Sequence, residues 1–168
     1  MTRENGRVAI CPGSYDPVTN GHLDIIERAS KVFDVVVIGV VHQPWRKQQT
    51  LFTAEERCNF VLQATQKLGN VKVEVFDTLL VDFAQKHDAV ALVKGLRAIS
   101  DYEYEFEMNQ LNRMLAPDIE SVYLMASPQY SFLSSSGVKE LATFGADVDE
   151  LVPAGVAAAI RERLERQD

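Results

Sequence analysis

Cysteine is scarce in this sequence, and its scarcity argues against two kinds of protein. Only two of the 168 residues are cysteine, Cys11 and Cys58, and they lie far apart without metal-ligand spacing. Neither a disulfide scaffold nor a cysteine-based metal site is therefore expected. We predict that both thiols are reduced and lie in the hydrophobic core.

Long apolar runs are also missing. No stretch approaches the roughly 18 apolar residues of a membrane-spanning helix, and residues 1–6 contain no apolar run that could serve as a signal peptide. We therefore expect a cytoplasmic protein without membrane contact. Its 168 residues match the size of one domain, with residues 1–6 as a flexible flank.

Basic residues are outnumbered by acidic ones. The chain has 17 Lys and Arg against 24 Asp and Glu, which gives a formal net charge of -7. This balance argues against a protein that coats nucleic acid, because such proteins carry a basic excess. It leaves room for a small anionic ligand, which needs only a few basic groups at one place.

The sequence does contain a regular alternation of short apolar runs and longer amphipathic ones. The apolar runs predict strands at residues 7–11, 35–41, 71–75, 89–93 and 121–125. Helices are predicted from residue 21 to 30 and at 53–68, 79–86, 101–115, 136–144 and 154–166, the second opening with a capping box of Thr53 and Glu56. The alternation predicts an α/β fold: a doubly wound, Rossmann-like, five-stranded parallel sheet with helices on both faces, formed by one domain over residues 1–168.

In such a sheet, ligands bind beyond the carboxyl ends of the strands, so the segment after the first strand is the first candidate site. Gly13 permits a sharp turn there, and Pro17 restricts Asp16 to extended conformations. Residues 19–22 then enter a helix, whose first N–H groups favour an anion. His22 could contact that anion, or it could simply cap the helix.

Three further segments place polar groups at the same edge of the sheet. Arg46 and Lys47 follow the second strand, where they could reach over an anion or remain solvated. Lys94 and Arg97 follow the fourth strand and suit phosphate recognition, although Lys94 could instead pair with Glu103 or Glu105. The serines of segment 130–137 precede a helix and could bind phosphate, or the segment could be a linker.

Other signatures are missing from the sequence. No Asp, Glu and His cluster has metal-ligand spacing, so no metal site built by the protein is predicted. No Ser, His and acid set suggests a hydrolase, and the P-loop signature is absent. His87 is predicted to cap the end of a helix.

Two short motifs resemble those of a known superfamily. Thr19-Asn20-Gly21-His22 resembles the T/H-x-G-H motif of the nucleotidyltransferases, and Leu133-Ser134-Ser135-Ser136 resembles their I-S-S-S motif. Together with segments 12–22, 94–97 and 101–105, they make the chain similar to the bacterial phosphopantetheine adenylyltransferases over about residues 7–165. The resemblance implies transfer of an adenylyl group from ATP to 4'-phosphopantetheine, which yields dephospho-coenzyme A and pyrophosphate.

The resemblance also implies roles for individual residues. Ser14 and His22 would contact the reacting phosphates, with Lys94 and Arg97 as further catalytic cations. The implied ATP-binding residues are Ser14, Tyr15, His22, Gly95, Leu96, Arg97, Glu105, Tyr130, Ser131, Phe132, Leu133, Ser134, Ser135 and Ser136. The implied phosphopantetheine-binding residues are Ser14, Arg46, Lys47, Leu80 and Lys94. Magnesium bound mainly through ATP phosphates, a homohexamer and inhibition by coenzyme A are implied as well.

This sequence departs from the family pattern at two places. Tyr15 stands where the family usually has phenylalanine. In the loop, the pattern is roughly N-P-x-K followed closely by F, and here Gln43 replaces the asparagine. Counting from Pro44 puts Arg46 at the lysine position, but the extra residues before Phe52 leave Lys47 as an alternative.

Two other functions remain open from the sequence. One is adenylyl or cytidylyl transfer to another acceptor, such as nicotinate mononucleotide or glycerol phosphate, which segments 94–97 and 102–105 argue against. The other is a regulatory nucleotide-binding module without catalysis, which the presence of His22 and both phosphate-binding turns argues against.

Overall fold

Five parallel strands form a single sheet at the centre of the molecule. The computed structural model of the chain describes residues 6–44 and 49–166; Arg46, Lys47 and most of the expected flexible flank at 1–6 fall outside the described residues. The strands are β1 (Val8–Gly13), β2 (Val35–Val41), β3 (Val71–Phe76), β4 (Ala91–Leu96) and β5 (Glu120–Met125). Their order across the sheet is β3-β2-β1-β4-β5, and all neighbours run parallel.

Helices connect the strands. They are α1 (Asn20–Val32), α2 (Ala54–Thr65), α3 (Leu80–Lys86), α4 (Ile99–Leu115), α5 (Ser135–Thr143) and α6 (Val156–Glu165). The predicted capping box of α2 is confirmed: Thr53 N–H donates to the Glu56 carboxylate (2.8 Å), and Glu56 N–H donates to the Thr53 hydroxyl (3.2 Å). His87 is the last cap residue of α3, as predicted.

Side chains alternate along each strand into two hydrophobic cores, one on each face of the sheet. Ala9, Val36 and Ile38 point into the larger core, which α1, α2 and α6 cover. Ile10 and Val37 point into the smaller core, which α3 covers with Phe83 and Ala84. Burial on both faces explains why β2 is an almost continuous apolar run. The predicted fold class is thus confirmed.

The predicted end of the fourth strand was wrong. The apolar run at 89–93 predicted that Lys94 and Gly95 follow the strand, but β4 runs from Ala91 to Leu96. Pairing with β5 explains the difference, because Lys94 lies opposite Tyr123 and Gly95 opposite Leu124 in the parallel ladder. A neighbouring strand supplies this pairing, which the apolar pattern of β4 alone does not reveal.

The predicted end of the second helix was also too late. α2 ends at Thr65 rather than Leu68, and the chain turns there because Leu68 N–H donates to the Thr65 carbonyl (2.9 Å). The Asn70 side chain then donates to the carbonyls of Ser30 and Phe33, which anchors the entry into β3.

Both cysteines are free thiols, as predicted. Cys11 is buried in the larger core, and this burial raises the pKa of its thiol to about 12. Cys58 is partly exposed and packs against the same core. Among the described residues, none of the helices is both long and apolar enough to cross a membrane.

Candidate active site

A cavity opens at the point where the order of strands changes from one side of β1 to the other. β1 lies between β2 and β4, so the connections from β1 and from β4 leave toward opposite sides, and a crevice forms beyond their carboxyl ends. The cavity there has a volume of about 490 Å³. It brings together twelve of the predicted site residues: Ser14, Tyr15, His22, Lys94, Gly95, Arg97, Glu105, Tyr130, Leu133, Ser134, Ser135 and Ser136.

The turn after β1 has an unusual backbone. Tyr15 adopts a left-handed conformation with φ of 48°, which costs free energy for a residue other than glycine. Its buried hydroxyl donates to the Cys11 carbonyl (3.0 Å), which holds the ring back over the turn. A Cβ on Gly13 would lie 2.9 Å from that ring, so this position requires glycine. The hydroxyl that distinguishes Tyr15 from phenylalanine therefore has a structural partner.

His22 lies in the first turn of α1 and takes part in a capping box with Thr19. Thr19 N–H donates to His22 Nδ1 (3.0 Å), and the Thr19 hydroxyl accepts from His22 N–H (3.4 Å). The expected alternative role as a cap is therefore present, and it constrains the ring. Because Nδ1 accepts a hydrogen bond, the neutral imidazole carries its proton on Nε2. The ring lines the cavity and contacts the Tyr15 ring edge-on at 5.1 Å.

Asp16 connects the turn after β1 to the segment before α2 and to Lys139 of α5. Its carboxylate is fully buried and accepts hydrogen bonds from Leu51 N–H (3.1 Å), Phe52 N–H (3.0 Å) and the Lys139 ammonium (2.8 Å). Burial by itself would raise the pKa of this carboxyl, but these donors outweigh it and hold the pKa below its ordinary value. The sequence placed Asp16 in the turn but did not reveal this role.

Lys94 is paired with a carboxylate of α4. Its ammonium lies 2.6 Å from Glu105 Oε2, and the two side chains are only 13% and 19% exposed. The pairing with Glu105 that the sequence left open is therefore present. Tyr123 donates its hydroxyl to the Glu105 carbonyl (3.1 Å), which fixes this turn of α4 against β5. Lys94 and Glu105 both line the cavity.

Arg97 connects the end of β4 to two neighbouring segments. Its guanidinium binds both oxygens of the Asp101 carboxylate, at 3.1 and 3.3 Å, and donates to the Leu133 carbonyl at 2.9 Å. The Arg97 side chain is 37% exposed and lines the cavity.

The serine segment contributes the amino end of a helix. Ser134 caps α5 by accepting from Gly137 N–H (3.0 Å), and Ser135 donates to the Pro17 carbonyl (2.8 Å). The segment therefore belongs to the site rather than to a linker, since Ser135 ties it to the turn after β1. The N–H groups at the start of α5 favour an anion at this wall of the cavity.

Four predicted site residues lie outside the cavity. Leu96 is buried in the sheet, and Leu80 begins α3 and packs against the smaller core. Phe132 is 73% exposed, and Ser131 donates its hydroxyl to the Pro128 carbonyl. Their predicted contacts with substrates stay predictions, as do those of Arg46 and Lys47.

Several further cavity residues were not predicted individually. Ile25 and Ala126 were not named from the sequence, and Asp101 and Tyr104 were noted only as members of segment 101–105. Ile25 lies one helical turn after His22, and a Cβ on Gly95 would lie 2.9 Å from its side chain, so α1 approaches β4 closely only because Gly95 lacks a side chain. That approach is a long-range relation that helical spacing alone could not reveal.

Two helix starts that favour anions thus face one crevice of a Rossmann-like sheet. They are the start of α1, which carries His22, and the start of α5, which Ser134 caps.

A family model described as cytidylyltransferase-like matches residues 10–141, and this places the chain among the nucleotidyltransferases. Relatives named phosphopantetheine adenylyltransferase match over almost the whole length. The one from Thermodesulfovibrio yellowstonii is 51% identical over 95% of this chain and 99% of its own. The one from Rubrobacter xylanophilus is 53% identical, covering 96% and 97%. The chain belongs to the phosphopantetheine adenylyltransferase family.

A solved structure supports the fold assignment. A Vibrio parahaemolyticus protein, described as a candidate nicotinate-nucleotide adenylyltransferase, superposes with a TM-score of 0.70 over 98% of both chains. The TM-score shows a shared fold, and at a sequence identity of 17% the likeness carries no information about the acceptor substrate.

Proposed function

We propose that the protein transfers the adenylyl group of ATP to the phosphate of 4'-phosphopantetheine, which forms dephospho-coenzyme A and pyrophosphate. This is the penultimate step of coenzyme A synthesis. The observation that carries the proposal is the cavity between β1 and β4, where His22, two cations and the serine-capped start of α5 converge in a chain about 50% identical to named relatives.

The chemistry needs no nucleophile from the protein. A phosphate oxygen of phosphopantetheine attacks the α-phosphorus of ATP and forms the new P–O bond. The bond from the α-phosphorus to the oxygen that bridges to the β-phosphorus breaks, and pyrophosphate leaves with that electron pair. The protein has to hold two anions in line and stabilise the charge that moves between them.

The capping box prepares His22 for this task. Thr19 N–H donates to Nδ1, which places the proton of the neutral ring on Nε2, and we assign this N–H as a hydrogen-bond donor to an α-phosphoryl oxygen. A donor fixed in advance stabilises the transition state without reorganisation. We assign His22 to transition-state stabilisation, with Ser14 in the lining of the same cavity.

Lys94 and Arg97 supply positive charge to the same cavity. Each has a carboxylate partner on α4: Glu105 offsets the cost of largely burying Lys94, and Asp101 pairs with the more exposed Arg97. We propose that substrate phosphates take over part of these bonds on binding. Lys94 would contact the acceptor phosphate, and Arg97 the phosphates of ATP.

Magnesium is proposed to arrive with ATP. Within residues 6–44 and 49–166, no group of three His, Cys, Asp or Glu side chains is arranged to hold a metal ion. The two carboxylates that line the cavity are both paired with cations. This donor set fits an ion that phosphate oxygens and water coordinate, and such an ion would neutralise phosphate charge.

The reaction is tested by pyrophosphate release. The purified protein is incubated with ATP, magnesium and one acceptor at a time: phosphopantetheine, nicotinate mononucleotide or glycerol phosphate. We expect release only with phosphopantetheine, together with dephospho-coenzyme A in the product mixture. Release only with another acceptor would replace the proposed substrate, and ATP binding without any release would favour a regulatory module.

Three further properties are proposed from the family resemblance. α4 leaves large apolar side chains exposed, namely Tyr102, Phe106, Leu111, Met114 and Leu115, and these support burial between subunits of a homohexamer. Light scattering should then give six times the chain mass of 18.8 kDa.

Coenzyme A shares the pantetheine arm and should inhibit competitively with phosphopantetheine. The use of ATP as a substrate is compatible with the cytoplasm as the site of the reaction.

A further inference from the structure

A buried arginine lies directly behind the turn that carries Ser14. Arg57, in the first turn of α2, has a relative exposure of 0%. Arginine is almost never fully buried without a carboxylate partner. Within residues 6–44 and 49–166, its side chain makes five hydrogen bonds, all to backbone carbonyls: those of Ser14 (2.6 Å), Val41 (2.9 Å), His42 (2.8 Å), Phe52 (3.1 Å) and Thr53 (3.3 Å).

These carbonyls belong to three segments that are distant in sequence. Ser14 lies in the turn after β1. Val41 and His42 lie where β2 ends and the following loop begins, and Phe52 and Thr53 lie where that loop ends and α2 begins. One guanidinium therefore holds both ends of the loop against the turn that lines the active site.

Asp16 adds a second connection between the same two segments. It accepts hydrogen bonds from Leu51 N–H and Phe52 N–H, so the end of the loop is held through its N–H groups by Asp16 and through its carbonyls by Arg57. The Asp16 charge also favours the charged guanidinium, although burial lowers the pKa of Arg57. The Ser14–Asp16 turn is thus fixed against the end of the loop by two side chains, Arg57 and Asp16.

This arrangement is costly, and its chemistry indicates why an arginine is used. An apolar side chain would fill the same space without the penalty of burying a charge. Only the planar guanidinium carries five N–H donors in a fixed geometry, and lysine has three on a flexible stem. The feature that arginine alone supplies here is the simultaneous placement of several carbonyls.

We propose that Arg57 is a positioning residue for the adenylyl transfer: by bonding the Ser14 carbonyl together with both ends of the following loop, it sets where Ser14 stands relative to the reacting phosphates. This inference rests on the proposed function and extends it. Arg57 itself does not line the cavity, so its effect passes through Ser14. A misplacement of about 1 Å at a reacting group can cost about 100-fold in rate.

The test compares Arg57→Met and Arg57→Lys with a matched control, Arg163→Met. Arg163 of α6 is a partly buried arginine that also donates to a carbonyl at the end of the loop (Leu51, 2.8 Å), and it packs over the Phe52 ring. Among the described residues, its hydrogen bonds go to Leu51 and to Glu56 of α2, and none reaches the Ser14 turn. For each variant, kcat, the KM for ATP and phosphopantetheine, and Tm are measured.

We expect both Arg57 variants to lower kcat at least tenfold, while the KM for ATP changes less than threefold because Arg97 and α5 do not touch Arg57. Arg163→Met should lower Tm and leave kcat within twofold of the wild type. Full recovery of kcat in Arg57→Lys, or an equal loss of kcat in Arg163→Met, would overturn the proposal. So would failure of Arg57→Lys to fold, since the side chain would then serve the fold itself.

Amide hydrogen exchange separates this proposal from the proposed function. In Arg57→Lys without substrates, the amides of residues 13–16 and of 49–53 should exchange faster together than in the wild type, and those of α5 should not. Unchanged exchange in the first two segments would refute the positioning role whatever the reaction is. A wild-type protein that is inactive with phosphopantetheine but shows this exchange pattern would refute only the proposed function.

Discussion

Replacement of His22 should separate its role in catalysis from its role as a helix cap. The imidazole has two functions on two nitrogen atoms: Nδ1 accepts from Thr19 N–H, and Nε2 carries the proton assigned to the transition state. His22→Ala removes both. His22→Asn removes only the second, because the amide oxygen of asparagine can take the place of Nδ1 while its side chain is too short to reach the Nε2 position.

The structure gives a magnitude for each function. Loss of the Thr19 hydrogen bond should cost about 0.5–1.5 kcal/mol of stability, and a protein of this size loses about 2–4 °C in Tm per kcal/mol. His22→Ala should therefore melt a few degrees lower, while His22→Asn stays close to the wild type. Loss of a preorganised donor to the developing charge should lower kcat by about 10²–10³ in both variants.

The assays are thermal unfolding, steady-state pyrophosphate release and calorimetric titration with ATP. The affinity for ATP should change by less than about threefold in both variants, because the assigned interaction forms fully only in the transition state. Equal losses of kcat and ATP affinity would show that His22 binds the ground state instead. A His22→Asn variant with more than a tenth of the wild-type kcat would refute the assignment of the donor to Nε2.

Three other substitutions or measurements test the structure around the site. The pKa of Asp16 is lowered in the folded state, so the ionised carboxylate should contribute fully to stability above about pH 4, and this contribution should disappear as the pH falls through the folded-state pKa. Asp16→Asn should therefore be less stable than the wild type in urea at pH 7, and the difference should shrink at pH 3. An undiminished difference at pH 3 would count against the buried carboxylate. The Cys11 thiol, with its pKa raised to about 12, should react with a disulfide reagent at pH 8 only on unfolding, whereas the partly exposed Cys58 reacts first. Reaction of both cysteines at the same rate in the folded protein would contradict the burial of Cys11. Tyr15→Phe loses the hydrogen bond to the Cys11 carbonyl and should cost about 1 kcal/mol while kcat stays within twofold; a large drop in kcat would mean that the hydroxyl has a role in the reaction.

The parts of the fold that local patterns encode could be predicted closely. β2 was predicted at its observed bounds, because a run of seven residues rich in valine has few alternatives to a strand buried on both faces. The capping box of Thr53 and Glu56 was predicted because its hydrogen bonds span only three residues.

The candidate site could be predicted in outline for a related reason. Parallel strands bring their carboxyl ends to one edge, so polar segments after several strands must meet there even when they are distant in sequence. The cavity accordingly contains Ser14, His22, Lys94 and Arg97 together. Which partner each cation takes was beyond local reasoning, since Lys94 could equally well have paired with Glu103.

Arg57 shows most clearly where sequence reasoning ends. In the segment Thr53 to Arg57 it reads as one more charged residue near a helix start, and such residues are mostly solvated. Its burial follows from the convergence of β1, β2 and α2, which leaves several carbonyls pointing into one space. The sequence by itself was enough for the sheet, the helix caps and the edge at which anions bind, because those depend on periodicity and on bonds between near neighbours. The carbonyls around Arg57, the pairing of Lys94 and the contact of Gly95 with α1 depend on segments far apart in the chain, and they became visible only when the chain was folded.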